Sequence, residues 1–248
     1  MDKKDNSSRF LAAFVSIEEY LRRATNTTGR LEFSSVVTKV ANNDRVLSTF
    51  KHRLLDYADL RNAIVHTRSP DGSTIAEPHE SVVEDIEFIA RELRNPPKIT
   101  SLNKNEGVTV IDPEQSVRSA LAIIREKSFS QIPVYYNKEY KGILTANALA
   151  GWMASVGEEE RAYLDESTVE TVLEFSEENE DVKFVNRNTT LFEVVDAFVE
   201  ASNAGKKLEA ILVTEGGSRK GFPMQIITIW DIPAINSVIY GNSGYSRA

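Results

Sequence analysis

Residues 131–149 read QIPVYYNKEYKGILTANAL, and this stretch decides the fold of the second half of the chain. Two β-rich runs, Gln131–Tyr136 and Lys141–Thr145, flank a turn near Asn137-Lys138, which predicts an antiparallel pair of strands. The residues from Ala146 to Met153 then have the pattern of a helix. The local prediction is therefore a strand hairpin that leads directly into a helix.

The same order of elements occurs twice in the sequence. In the first copy a strand at 108–111 and a helix at 114–126 precede the hairpin. Thr145 at the end of the first hairpin corresponds to Thr228 in the second copy. One such unit leaves a face of its small sheet uncovered, so we expect two β-α-β-β-α units packed sheet to sheet. The second copy is predicted to have strands at 182–185, 208–214 and 224–229 and helices at 190–202 and 232–239.

The residues before this repeat have helical periodicity and predict a separate domain. Pro96-Pro97 ends that pattern and marks the boundary. The predicted fold class is thus α + α/β, with an N-terminal helical bundle at 1–97 and the repeat at 98–248. The predicted helices of the bundle span 8–25, 34–41, 45–66 and 79–94.

Composition excludes several function classes. The chain has 248 residues and no cysteine, which excludes disulfide frameworks and thiolate metal sites. Its three histidines have no recognisable metal-ligand spacing, so no metal site is predicted. No apolar run approaches the roughly 18 residues of a membrane span, and the N-terminus lacks a signal-peptide core, so the prediction is a soluble cytoplasmic protein.

Charge is distributed unevenly along the chain. The formal net charge of −8 falls entirely within residues 101–248, because residues 1–100 hold 15 basic and 15 acidic side chains. Residues 157–181 form an acidic linker that also contains apolar residues at helical spacing, which predicts an amphipathic linking helix. The Gly216–Gly221 segment lies between two strands, so it predicts a mobile hairpin tip and not a phosphate-binding loop.

The repeat resembles a tandem pair of CBS (cystathionine β-synthase-type) domains. The resemblance covers about 100–156 for the first domain and 182–242 for the second. It rests on the order and spacing of the elements, on the Ile132-Pro133-Val134 strand, and on Gly142 to Thr145 running into a helix. Such families bind adenosine-containing ligands, so the resemblance implies a regulatory adenine nucleotide such as AMP or ATP, and a homodimer.

The resemblance also implies ligand-binding residues. The family pattern Gly-apolar-apolar-Thr/Ser-x-x-Asp places a hydroxyl on phosphate and a carboxylate on the ribose hydroxyls. The second copy keeps Thr228 and Asp231 but has Gln225 where glycine is usual, and the first copy keeps Thr145 but has Ala148 where the carboxylate is expected. At most one intact site is predicted. The alternative is that Thr228 ends a strand and Asp231 caps a helix.

In the first domain, Arg61-Asn62-Ala-Ile-Val-His66 resembles the R-x-x-x-x-H signature of HEPN domains. Many of these domains are metal-independent ribonucleases that act as dimers. The resemblance implies His66 as general acid or base, Arg61 for phosphate stabilisation and Asn62 for orientation. Five residues correspond to about 140° around a continuous helix, so we expect Arg61 and His66 to meet only if the helix frays or a second subunit completes the cleft. Alternatively, His66 interacts with the helix dipole and Arg61 pairs with a nearby acid.

The sequence therefore gives two hypotheses. The first is a HEPN-type endoribonuclease that cleaves RNA as a dimer under control of an adenine-nucleotide-binding CBS pair. The second is a non-enzymatic nucleotide sensor whose helical domain only dimerises or binds a partner.

Overall fold

The computed structural model describes residues 5–25, 32–66, 76–102, 104, 107–156, 164–178 and 180–240. The chain divides into two compact units. The first unit contains residues 1–97, 190–193 and 236–248, and the second contains 98–189 and 194–235. The first unit thus takes in short segments from the C-terminal half of the chain.

The described part of the first unit is helical, and its helices lie close to their predicted positions. Helix α1 uses Phe10, Phe14, Ile17 and Leu21 as its buried stripe, whereas Val15 is 51% exposed. Val15 lies one residue, or about 100°, beyond Phe14, which turns it out of the stripe. The helices are α1 (Asn6–Thr25), α2 (Phe33–Ala41), α3 (Arg45–His66) and α4 (Glu80–Arg94).

The second unit begins with the first copy of the repeat. Strands β1 and β2 pair antiparallel, and Asn137 and Lys138 both adopt positive φ, the geometry of a two-residue hairpin turn. The strand predicted at 108–111 is absent as an extended element, because only Ile111 forms a bridge, with Val134. The elements are α5 (Val117–Lys127), β1 (Gln131–Tyr136), β2 (Glu139–Thr145), α6 (Ala146–Ser155) and α7 (Val169–Leu173).

Helix α7 is the described part of the predicted acidic linking helix. Its Val169 and Val172 are fully buried in the core of the first copy, with Leu173 and Phe175 packed against it. Residues 157–163 of the predicted linker lie outside the described residues. The apolar face of the linker therefore completes the first copy's core.

The second copy has the predicted order of elements. Its strands form a separate sheet in which β3 and β4 are parallel and β4 and β5 are antiparallel. Apolar side chains from both sheets, including Ile143 and Leu212, form one buried cluster. The elements are β3 (Glu180–Val185), α8 (Leu191–Asn203), β4 (Lys207–Val213), β5 (Gln225–Ile227) and α9 (Ile232–Tyr240).

The glycine-rich loop between β4 and β5 is attached to the first copy. The Tyr140 amide donates to the Arg219 carbonyl at 3.1 Å, and the Gly221 amide donates to the Lys138 carbonyl at 2.8 Å. The Arg219 guanidinium also lies over the rings of Tyr140 and Phe184. The predicted hairpin tip therefore extends the edge of β2, where Lys220 forms a bridge with Glu139.

Candidate functional site

A cavity of about 450 Å³ lies where the strands of both copies meet the start of α9. We call it the Asp231 cavity. The second copy contributes Asp231 together with Thr228 and Gln225, and the first copy contributes Phe129 and other residues at the start of β1. The predicted ligand residues Thr228 and Asp231 thus share one cavity wall.

The carboxylate of Asp231 is held in place by the turn that carries it. Its Oδ2 accepts from the Thr228 amide at 2.8 Å and from the Thr228 hydroxyl at 3.4 Å. These contacts fix the 3₁₀ turn Ile229–Asp231 that leads into α9. Asp231 therefore performs the local capping role that was the alternative reading of the sequence, while its side chain remains 17% exposed.

The second oxygen of this carboxylate has a partner from outside the turn. Oδ1 lies 2.7 Å from Nζ of Lys104, and the same ammonium donates to the Ile226 carbonyl at 3.0 Å. Gln225, which stands where the family pattern has glycine, directs its Nε2 to the carbonyls of Leu102 and Lys104, each at 3.4 Å. The N-terminal segment of the first copy is therefore bound to the wall of the cavity.

Aromatic side chains lie at this cavity. Trp230 is 79% exposed and Phe129 is 37% exposed, and both line the Asp231 cavity. Trp152, seven residues after Thr145, is 2% exposed in the core of the first copy. Trp152 therefore belongs to a packed core, whereas Trp230 lies exposed at the cavity.

Thr145, the third predicted ligand residue, lies at a different cavity of about 450 Å³. Its hydroxyl accepts from the Ala148 amide at 3.0 Å and so caps α6. Glu209 and Lys207 also line this Thr145 cavity. The carboxylate of Glu209 is buried, and it pairs with Lys207 and accepts from Gln131 Nε2 at 3.0 Å. The three predicted residues are therefore divided between two cavities.

The predicted catalytic residues lie at the C-terminal end of α3 in the first unit. Nη1 of Arg61 is 3.1 Å from Nε2 of His66 and 3.3 Å from Oδ1 of Asn62. The structure therefore brings the three residues together at an exposed site.

This geometry corrects one expectation. Helix α3 is continuous to His66, yet Arg61 reaches the imidazole within the same chain. The expectation considered only the directions in which the two side chains leave the helix. The arginine side chain is long enough to run along the helix surface and reach the imidazole from its own direction. Neither fraying nor a second subunit is needed for the contact.

Two residues at the cavities were not predicted from sequence. Lys104 stands in a polar stretch with no local pattern, and Glu209 lies in a strand whose neighbours are apolar. A charged residue within an otherwise buried strand is rare unless it is paired, and this was the available signal for Glu209. Lys104 carried no such signal, because its partner is 127 positions away in the sequence.

Family comparison identifies part of the second unit. The model of the CBS domain family matches residues 101–155. Residues 101–155 are a CBS domain. This confirms the resemblance for the first copy of the repeat, whereas the resemblance of the helical region to HEPN domains stays a prediction. The sequence matches none of the curated proteins with which it was compared.

Solved structures with CBS domains show partial likeness to this chain. A signal-transduction protein with CBS domains from Burkholderia ambifaria is 13% identical, with a TM-score of 0.42, over 61% of this chain and 99% of that one. The CBS domain of a bacterial CNNM/CorC family Mg²⁺ transporter, in complex with ATP, is 18% identical, with a TM-score of 0.42, over 65% of this chain and 96% of that one. CBSX2 in complex with AMP is 16% identical, with a TM-score of 0.38, over 58% of this chain and 93% of that one.

Within the part of the chain that the structure describes, no group of three or more His, Asp or Glu side chains is placed to hold a metal ion. Over the same residues, no helix has both the length and the apolar character needed to cross a membrane.

Proposed function

We propose that the second unit is a regulatory module that binds an adenine nucleotide in the Asp231 cavity. The observation that carries this proposal is the carboxylate of Asp231, which is fixed by its own turn and presents Oδ1 at a cavity formed by both copies of the repeat. The cavity volume of about 450 Å³ is within the range of small-molecule sites. The CBS family match to the first copy supports the same function.

The chemistry of the cavity suits a nucleoside monophosphate or a larger nucleotide. A carboxylate oxygen accepts hydrogen bonds from ribose hydroxyls, and charge on the acceptor strengthens those bonds. Trp230 and Phe129 offer apolar surface to the base, while the Thr228 hydroxyl offers a donor to a phosphate. These groups cover the three parts of a nucleotide.

The test is binding of AMP, ADP, ATP and adenosine, with GTP as the control ligand, measured by calorimetry and thermal shift. We expect stabilisation of about 2.7 kcal/mol when the ligand is at 100 times its dissociation constant. Asp231→Asn should weaken binding at least tenfold, on the order of 1.4 kcal/mol, because a neutral amide replaces the charged acceptor. Glu126→Gln is the matched control, because Glu126 is an exposed residue of α5, and this variant should bind the nucleotide as the wild type does. Equal affinity in all three proteins would refute the site.

A second candidate function belongs to the first unit. The contact of 3.1 Å between Arg61 and His66 at an exposed position favours metal-independent RNA cleavage. In this reaction the imidazole takes the proton of a ribose 2′-hydroxyl, whose oxygen attacks phosphorus. The bond to the 5′-oxygen breaks, that oxygen takes a proton from water or from His66 of a second copy, and a 2′,3′-cyclic phosphate remains. Arg61 stabilises the charge on the phosphate.

RNA cleavage in EDTA separates the two hypotheses for the first unit. Wild type is incubated with a labelled single-stranded RNA beside Arg61→Ala and His66→Ala, and His52→Ala serves as the matched control, since His52 is an exposed histidine on the same helix. Cleavage that is lost only in the Arg61 and His66 variants supports the enzyme. Equal cleavage in all four proteins indicates a contaminating ribonuclease. The helical domain would then only dimerise or bind a partner.

A further inference from the structure

Lys104 occupies the position at which a ribose would contact Asp231. Of the two carboxylate oxygens, Oδ2 accepts from the amide and hydroxyl of Thr228. Those donors belong to the same short turn as Asp231 itself. Oδ1 is the oxygen with a partner from a distant segment, the Lys104 ammonium at 2.7 Å. Oδ1 is therefore the exchangeable side of the carboxylate.

The ion pair is accessible to exchange. The side chain of Lys104 is 38% exposed and that of Asp231 is 17% exposed, so water and salt reach the pair. The ammonium also donates to the Ile226 carbonyl at 3.0 Å, and Gln225 holds the backbone carbonyl of Lys104 at 3.4 Å. These contacts keep the ammonium beside Oδ1. A ribose hydroxyl that donates to Oδ1 must then replace the lysine there.

We infer that Lys104 is an internal competitor for Asp231, so that nucleotide binding in the Asp231 cavity requires displacement of this lysine from Oδ1. This inference rests on the proposed nucleotide site. It assigns a role to Gln225 as well, since the glutamine amide holds the segment that delivers the lysine. Ligand occupancy and release of the segment containing Lys104 are therefore coupled, and the free energy of that release reduces the affinity for ligand.

Adenosine is the decisive probe because it has the ribose but no phosphate. If Lys104 competes, Lys104→Met should bind adenosine on the order of twofold to fivefold more tightly than wild type, the range expected for loss of a partly exposed ion pair. Gln225→Ala should shift affinity in the same direction by a smaller factor. Lys183→Met removes a lysine from an exposed position on β3 and serves as the matched control, with no change expected.

Ionic strength gives a second readout. Salt screens the attraction between Lys104 and Asp231, so adenosine, although uncharged, should bind wild type more tightly as salt rises. The Lys104→Met variant should lack this salt dependence. Fluorescence of Trp230, which lines the cavity, provides the binding signal, because Trp152, the other tryptophan in the sequence, is buried in the core.

The outcomes distinguish this inference from the proposed function. If AMP binds through Asp231 but Lys104→Met leaves adenosine affinity unchanged, the nucleotide site stands and competition by Lys104 is refuted. If Lys104→Met weakens AMP and ATP and leaves adenosine unaffected, Lys104 is a phosphate contact instead. If neither wild type nor Lys104→Met binds adenosine, AMP or ATP, the proposed function and the competition fail together.

Discussion

Replacement of Tyr135 by phenylalanine tests whether the apolar cluster that the two sheets form excludes water. Tyr135 is 3% exposed, and its hydroxyl has no hydrogen-bond partner among the described residues. Burial of a hydroxyl without a partner costs about 1–3 kcal/mol in protein mutational data. Tyr135→Phe removes that oxygen and keeps the ring contacts with Tyr140 and Phe222. We expect the free energy of unfolding to rise by about 1 kcal/mol or more.

The pKa of the same hydroxyl gives an independent signature. Burial raises the pKa of Tyr135 to about 12, above the value of 10.0 for an unperturbed tyrosine. The folded state therefore retains a proton that the unfolded state loses, so the contribution of this group to stability falls as pH rises above about 10. The phenylalanine variant lacks this contribution, and its advantage over wild type should grow above that pH.

Urea denaturation followed by circular dichroism measures both effects. Tyr136→Phe is the matched control, because Tyr136 is the next residue on β1 and is 39% exposed, and it should change stability little. A Tyr135→Phe variant that is less stable than wild type by about 0.5 kcal/mol or more would refute the argument. That result would mean that the hydroxyl is bonded to internal water.

Two further substitutions test burial elsewhere. Burial raises the pKa of Glu92, so its charged form destabilises the fold and stability should increase as pH falls toward the ordinary glutamate range. Glu92→Gln should raise the melting temperature at neutral pH and flatten that dependence, and a lower melting temperature would contradict it. Gly142→Ala should destabilise by about 1 kcal/mol in urea denaturation, because a Cβ would lie 3.0 Å from two side-chain carbons of Leu173. An unchanged midpoint would show that Leu173 moves aside freely.

The helices and most strands could be predicted from the sequence, because their signals are local. Apolar residues recur at helical spacing in α3 and α4, and the Asn137-Lys138 turn separates two β-rich runs. The strand predicted at 108–111 is the exception, because the formation of a strand depends on pairing, which is not a local property. Its residues favour a strand, but only Ile111 is paired, and pairing depends on residues more than 20 positions away.

The candidate sites depended on contacts that the sequence could not specify. The positions of Thr228 and Asp231 could be predicted from the spacing of the repeat. The location of Thr145 at a different cavity could not. The Lys104 contact joins residues 127 positions apart, and the reach of Arg61 toward His66 depends on a side-chain conformation. Spacing fixes where a backbone atom lies on a helix. It does not fix where a long side chain ends.

The two cavities derive from corresponding positions of the repeat, yet they differ in the origin of their carboxylates. In the second copy the acid is Asp231, supplied by the turn after β5. In the first copy Ala148 takes that place and is fully buried, and the acid of the Thr145 cavity comes from the facing strand as Glu209. Oε2 of Glu209 accepts from Gln131, and Oε1 forms an ion pair with Lys207 but has no hydrogen-bond partner among the described residues. Glu209 is 4% exposed, whereas the Asp231 side chain is 17% exposed, so a ribose has better access to Asp231 than to the acid of the Thr145 cavity. The alanine at position 148, where the family pattern has aspartate, thus makes the two sites unequal. Asp231→Asn alone should therefore abolish most nucleotide binding.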